Sequence, residues 1–191
     1  MKQITVSIRS SETSDAIGLA RVQIETWRDA YVGMLPDEAL IELDEMRAAV
    51  RWTRLVAGLE EPERLSVAEV DGDVVGFCHG GGGRRAVSAA LGANDRMAEV
   101  YALYVDPNFQ GLGIGRALLG HVAQGLESDG FDALTILTLE SNHHGRRFYE
   151  ALGGTPGEAV PSVVSGSPID QTPYVWADIS VLVRRIETAQ G

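Results

Sequence analysis

The stretch AEVYALYVDPNFQGLGIGRALL, residues 98–119, decides the fold. Residues 98–105 are rich in Val, Tyr and Leu and read as a strand, which Pro107 ends because it has no N–H for a ladder. Glycines follow at 111, 113 and 115, and then Leu118, Leu119, Val122 and Leu126 recur at helical spacing. ALTILTL, residues 133–139, reads as a buried strand. Residues 98–139 are therefore a βαβ unit, whose two strands should run parallel with a right-handed crossover.

Upstream, residues 3–9 alternate apolar and polar as a half-buried strand does. From Asp15, the residues Ile17, Ala20, Ile24, Trp27 and Tyr31 share one helical face, closed by Gly33. Pro36, Asp37 and Glu38 open a short second helix; Asp44 opens a third, with Met46, Ala49, Val50, Thr53 and Val56 on its apolar face. Residues 65–70 and 74–79 form a hairpin around Asp71-Gly72-Asp73. Gly80 to Gly83 and the polar stretch to Arg96 read as a mobile loop. Downstream, Asn142 to Leu152 is a helix ended by Gly153-Gly154; a Pro/Ser/Gly-rich loop leads to a final strand, Tyr174 to Leu182. There is no internal repeat, and 191 residues suit one domain, 1–191.

Composition removes several function classes. A formal charge of −11 opposes broad contact with phosphate backbones, so nucleic acid is not an expected partner. Lys2 is the only lysine, which excludes Walker-type NTP binding and lysine Schiff-base chemistry. One cysteine, Cys78, forms no intrachain disulfide, the first residues lack a signal-peptide core, and no run nears the ~18 apolar residues that span a bilayer. A cytoplasmic protein without a membrane role is expected. His143 and His144 match no metal-ligand spacing, and G-x-S-x-G is absent.

Three glycines at alternate positions before a helix let backbone N–H groups approach an anion, which the helix dipole also favours. The dinucleotide fingerprint G-x-G-x-x-G fails, because its last position falls on Arg116 or Leu118. What stands is Gln110-x-x-Gly113-x-Gly115 after Tyr104-Val105-Asp106-Pro107, and it resembles the acyl-CoA pyrophosphate loop of the GNAT superfamily of N-acetyltransferases. The resemblance extends to Ser141-Asn142 and to Phe148-Tyr149-Glu150-Ala151-Leu152-Gly153, and covers about residues 97–154. The first half matches by element order and by Trp27…Tyr31-x-Gly33-x-Leu35-Pro36, a pattern seen in many small-amine members.

The resemblance implies an α/β (α+β) fold: a mixed, mostly antiparallel sheet of six or seven strands flanked by helices, with the βαβ unit central. It implies acetyl-CoA as acyl donor, cradled by Gln110, Gly111, Leu112, Gly113, Ile114, Gly115 and Arg116, with Arg146 or Arg147 as further cations. Leu103, Tyr104 and Val105 would offer main-chain groups to the pantetheine amides, Asn142 would bond the same arm, and Tyr149 would protonate the departing thiolate. An amine of pKa about 10.4 must lose a proton before attack. Glu99, eleven residues before Gln110, stands where several protein-acetylating members carry their general base. A strand-end surface glutamate is the alternative reading, as a helix N-cap is for Asn142.

Trp27 and Tyr31 continue the apolar stripe of their helix, so core packing is the first reading and lining of the acceptor pocket, as substrate-binding residues, the second. Between Glu25 and Glu45 stand Glu25, Asp29, Asp37, Glu38, Glu42, Asp44 and Glu45 against Arg28 alone, in the segment that borders the acceptor in GNAT proteins. The expected reaction is acetyl transfer to a primary amine, a small cationic molecule, by direct attack, since Cys78 lies away from the matched motifs. A protein or peptide acceptor and a noncatalytic acyl-CoA sensor stay open, as does a homodimer through strand edges. Gly120 and Gly125, each costing about 1 kcal/mol inside a helix, point to close packing rather than to the site.

Overall fold

Eight strands form one sheet in the computed structural model, which describes residues 5–92, 95–164 and 167–188. They are β1 (Ser7–Ser10), β2 (Arg64–Val70), β3 (Asp73–Gly82), β4 (Met97–Val105), β5 (Ala133–Leu139), β6 (Thr155–Pro156), β7 (Val160–Val164) and β8 (Ser167–Trp176). β1 to β5 lie side by side in chain order; β8 follows β5 and pairs with both β6 and β7. Every pairing is antiparallel except β4 with β5, as the βαβ reading requires.

The helices are α1 (Ala16–Ala30), α2 (Asp37–Ile41), α3 (Glu45–Ala57), α4 (Arg85–Ala90), α5 (Ile114–Ser128), α6 (His143–Ala151) and α7 (Ile179–Thr188). Each face of the sheet has its own core. Ala98, Val100 and Leu134 pack under Leu118, Leu119 and Val122 of α5 and Leu182 and Ile186 of α7. Val67, Val74 and Phe77 pack under Leu19, Val22 and Ile24 of α1 and Trp52 of α3.

Four sequence expectations need correction. The run 174–182 is not one strand: β8 ends at Trp176, and α7 buries Ile179, Leu182, Val183 and Ile186 at helical spacing. The Asp178 carboxylate accepts from the Ser180 N–H at 3.0 Å, a helix-start signal that the apparent alternation concealed. The Pro/Ser/Gly-rich connection contains β6, β7 and most of β8, hence eight strands rather than six or seven. Pro156 and Pro161 lie on strands that pair only with β8, where a missing N–H is tolerated. The glycines to Gly82 complete β3 instead of opening a loop, and α4 follows. On α3, Met46 and Val50 are exposed while Ala48, Ala49 and Trp52 face the core; Ile17 on α1 is exposed as well. Strand β1 begins at Ser7: of the predicted strand 3–9, Gln3 and Ile4 lie outside the described residues, and Thr5 and Val6 precede the strand.

The helical glycines are explained by neighbours that periodicity cannot reveal. A Cβ on Gly120 would lie 2.7 Å from Ile186 Cγ2, and one on Gly125 2.7 Å from Arg64 Cδ. A side chain at Gly120 would run into Ile186 of α7, and one at Gly125 would have to displace the Arg64 side chain of β2, where the expectation named helix–sheet packing alone.

Candidate active site

The site begins where two parallel strands part. β4 pairs with β5 only from Met97 opposite Ala133 to Val100 opposite Ile136; beyond that point β4 stays with β3 and β5 with β8. A bulge prepares the separation: His79 faces Ala102 while Gly80 faces Val100, so Tyr101 is an extra residue on β4. The bulge changes the phase of the strand. Ala98 and Val100 before it, and Leu103 and Val105 after it, pack on the α5 face, whereas Ala102 and Tyr104 pack on the α1 face.

The Asp106 N–H donates to the Val75 carbonyl at 2.9 Å. Alternation of ladder bonds then turns the main-chain groups of Tyr104 toward β3 and those of Leu103 and Val105 toward the gap. The Val105 carbonyl agrees, since it accepts from Gln110 Nε2 at 3.0 Å and Thr26 Oγ1 at 3.2 Å. Gln110 thus clamps the strand end to the loop, and Thr26, a residue without a sequence signal for the site, ties α1 to the same corner.

Asp106 accepts from the Asn108 N–H at 2.8 Å and starts the turn that delivers the glycines. Gly111 and Gly113 sit at φ +75° and +81°, a region that side chains rarely enter, and Gly113 is the N-cap of α5. Gly115 is different: a Cβ there would make ordinary contacts, 3.6 Å from Val105 and 3.7 Å from Phe148. The Arg116 guanidinium folds back to 3.5 Å from the Cβ position of Gly113, and Leu112 is exposed while Ile114 is buried beneath the helix start. A left-handed turn, free first-turn amides and a guanidinium together fit a diphosphate. Arg146 is committed elsewhere, to the Tyr174 hydroxyl (3.2 Å) and the Glu140 carbonyl (3.1 Å). Arg147 is exposed.

Asn142 caps α6, its Oδ1 accepting from the Gly145 N–H at 2.9 Å. Two turns later Tyr149 is 7% exposed, its ring against Phe148, Tyr174 and Trp176. Burial first, then nearby Cys78 and Tyr104, push its phenol well above the usual tyrosine range. Cys78 is therefore nearer than expected: it lies opposite Leu103 on the neighbouring strand. It is fully buried and burial pushes its thiol up too, so it is no ready nucleophile.

On the α1 face, Trp27, Tyr31 and Met34 pack with Leu35, Leu40, Leu139 and Ile169, closing one side of the gap with residues from α1, α2, β5 and β8. Trp27 and Tyr31 meet edge to face, with ring centroids 5.5 Å apart. Tyr31 and Tyr104 interact through their hydroxyls, and both are shifted up mainly by burial. The Trp27 indole N–H, buried and short of a well-aligned hydrogen bond, lies beside Tyr104. The acidic residues from Glu25 to Glu45 are all exposed, and the Glu25 carboxyl is pushed up by partial desolvation and by Asp106.

Glu99 is 0% exposed, not a surface glutamate, and is bonded to Arg84 through the guanidinium Nε at 2.8 Å, its Nη2 and the main-chain N–H at 2.9 Å. Beside it, the Tyr101 hydroxyl donates to the Gly82 carbonyl at 2.5 Å, and the His79 ring packs 4.9 Å from the Tyr101 ring. Burial lowers the His79 pKa, with Glu63 at 3.6 Å opposing. The unfolded chain therefore takes up the proton first. His79 should cost stability as pH falls below about 6.5 and contribute no slope above it, with a maximum of about 1.4 kcal/mol per pH unit. Urea unfolding between pH 5 and 8 tests this: His79→Gln should flatten the acid side of the curve.

Among the described residues no helix is long and apolar enough to cross a membrane. The model of the acetyltransferase (GNAT) family matches residues 20–154. An uncharacterized N-acetyltransferase, YuaI, of Bacillus subtilis is 26% identical over 93% of this chain and 96% of its own length. A mycothiol acetyltransferase of Acidothermus cellulolyticus is 32% identical over 69% of this chain but only 44% of its own length. The PaiA N-acetyltransferase of Thermoplasma acidophilum, solved in complex with coenzyme A, superposes with a TM-score of 0.63 at 19% identity, over 90% of this chain and 99% of that one. With the parted strands, the glycine cradle and the family match in agreement, the chain belongs to the GNAT family and is an acetyl-CoA-dependent acyltransferase.

Proposed function

We propose that this single domain transfers the acetyl group of acetyl-CoA to a primary amine of a small cationic molecule by direct attack, in the cytoplasm. The observation that carries the reading is Tyr149, a phenol buried at the strand gap and held in its protonated form by its surroundings. Bound acetyl-CoA supplies an acetyl group activated on sulfur.

The chain's own residues do the rest. Amides of residues 111–116 and Arg116 hold the diphosphate; main-chain groups of Leu103 and Val105 facing the gap align the pantetheine arm; Asn142 caps α6 so that Tyr149 is presented to the gap. As the C–N bond forms and the C–S bond breaks, the acceptor nitrogen gives up two protons and the sulfur needs one. Tyr149 donates to the sulfur and is reprotonated, and the net proton leaves through Glu99 or water. Glu99 can do so only when its oxygens are released from Arg84. Trp27 and Tyr31 close the apolar side of the acceptor pocket, and the exposed carboxylates of residues 25–45 attract a cation to its entrance. A free buried Cys78 suits a reducing compartment.

Release of free thiol from acetyl-CoA in the presence of small amines, amino-sugars and amine-ended peptides is the direct test. Amine-dependent release, fastest with small cationic acceptors, is expected. Release with peptides alone would overturn the small-molecule acceptor; tight binding of acetyl-CoA without release to any amine would make the protein a sensor.

A further inference from the structure

The closing of Glu99 by Arg84 has an unusual construction for a structural ion pair. The carboxylate is wholly buried in β4, but the guanidinium comes from the solvent side, with 57% of the Arg84 side chain exposed. Its main chain and its side chain do different jobs. The Arg84 N–H holds Oε2, while Nε and Nη2 of the guanidinium both lie on Oε1. Withdrawal of the side chain alone would leave Oε2 bonded and present Oε1.

The surroundings of that oxygen select positive charge. The guanidinium carbon lies 5.9 Å from the centre of the Tyr101 ring, within range of a cation–π contact. Behind Tyr101, His79 Nε2 is buried without a hydrogen-bond partner, in a side chain only 9% exposed, and Glu63 lies 3.6 Å from it. The glycine run lets these groups crowd together: a Cβ on Gly81 would fall 2.8 Å from the Tyr101 hydroxyl and 3.0 Å from Glu63 Cγ, and one on Gly83 2.8 Å from the Met97 carbonyl. Two carboxylates, an aromatic face and a buried imidazole nitrogen without a hydrogen bond gather around a position suited to an organic cation, and the chain's own arginine fills it.

We propose that the Glu99–Tyr101 niche is a binding subsite for an alkylammonium or alkylguanidinium group of the acceptor, and that Arg84 occupies it as an internal stand-in which the acceptor displaces. This rests on the cationic acceptor proposed above. Arg84 is then a specificity-determining residue: only a cation able to replace a guanidinium on Oε1 gains access to the carboxylate.

The test uses Arg84→Ala and, should that variant fold poorly, Arg84→Met, which keeps an apolar stem over Tyr101. Methylguanidinium is the probe, with binding read by calorimetry and by the shift in thermal unfolding. Both variants should bind it at least tenfold more tightly than the parent protein, and adding Glu99→Gln should abolish the gain. The KM for a cationic amine should fall in Arg84→Met while that for an uncharged-tail amine stays put. No gain in methylguanidinium binding, or a gain that survives Glu99→Gln, overturns the subsite. Failure of the acetyl-transfer reading looks different: the variants would bind methylguanidinium, yet no amine would release thiol from acetyl-CoA in any form of the protein.

Discussion

Tyr149→Phe is expected to lower kcat by about 10²- to 10⁴-fold, the range for loss of a positioned proton donor, with coenzyme A affinity nearly unchanged. The ring keeps its contacts with Phe148, Tyr174 and Trp176, so only the hydroxyl is lost. Because burial raises the phenol's pKa, the neutral acid persists across the working range, and Tyr149 should put no alkaline limb on the kcat profile below its ordinary value of about 10. Single-turnover rates at saturating acetyl-CoA from pH 6 to 10 give both readouts. A variant with parental kcat would remove Tyr149 from the chemistry.

The second large effect is on the cradle. Gly113→Val places a β-branched residue at φ +81°, at the N-cap of α5, the helix whose first amides are proposed to hold the diphosphate. Strain of this kind costs roughly 1–3 kcal/mol, and the turn relaxes by moving those amides. Coenzyme A affinity should therefore fall by roughly tenfold or more, since about 1.4 kcal/mol corresponds to one decade. Gly115→Ala is the control, because a Cβ there meets only ordinary contacts within the chain. Its thermal unfolding should match the parent's, so any weakening of coenzyme A binding reports space that the ligand itself occupies. Calorimetry with coenzyme A measures both variants, and parental affinity in Gly113→Val would sink the cradle.

Recognition of the site from sequence was uneven for identifiable reasons. The glycine loop was legible because its residues act through their own backbone: positive φ at Gly111 and Gly113 and the Asp106-Pro107 turn are local properties. Asn142 was legible as a cap for the same reason. Glu99 is legible as a position on a strand, but its partner Arg84 is not, because it lies fifteen positions earlier in a stretch whose composition reads as loop up to Arg96. Gly80 to Gly83 signalled flexibility by type, yet they belong to a strand end crowded by Glu63, Tyr101 and Met97. Thr26 and Cys78 carried no local signal; α1 and β3 bring them to the corner and to the gap.

The same division runs through the fold. Local chain chemistry determined the βαβ unit, the Asp71-Gly72 hairpin and the glycine turn before α5, since periodicity and backbone preference act over a few residues. Packing decided the rest. Between Trp176 and Ile179 the chain leaves the sheet and coils onto α5, where Ile186 fills the space left by Gly120, a choice that depends on residues some sixty positions away. Likewise the bulge at Tyr101, which parts β4 from β5, and the turning of Arg84 onto Glu99 are set by neighbouring strands rather than by the residues themselves. Those long-range contacts decided which carboxylate is buried, what covers it, and where β4 and β5 part.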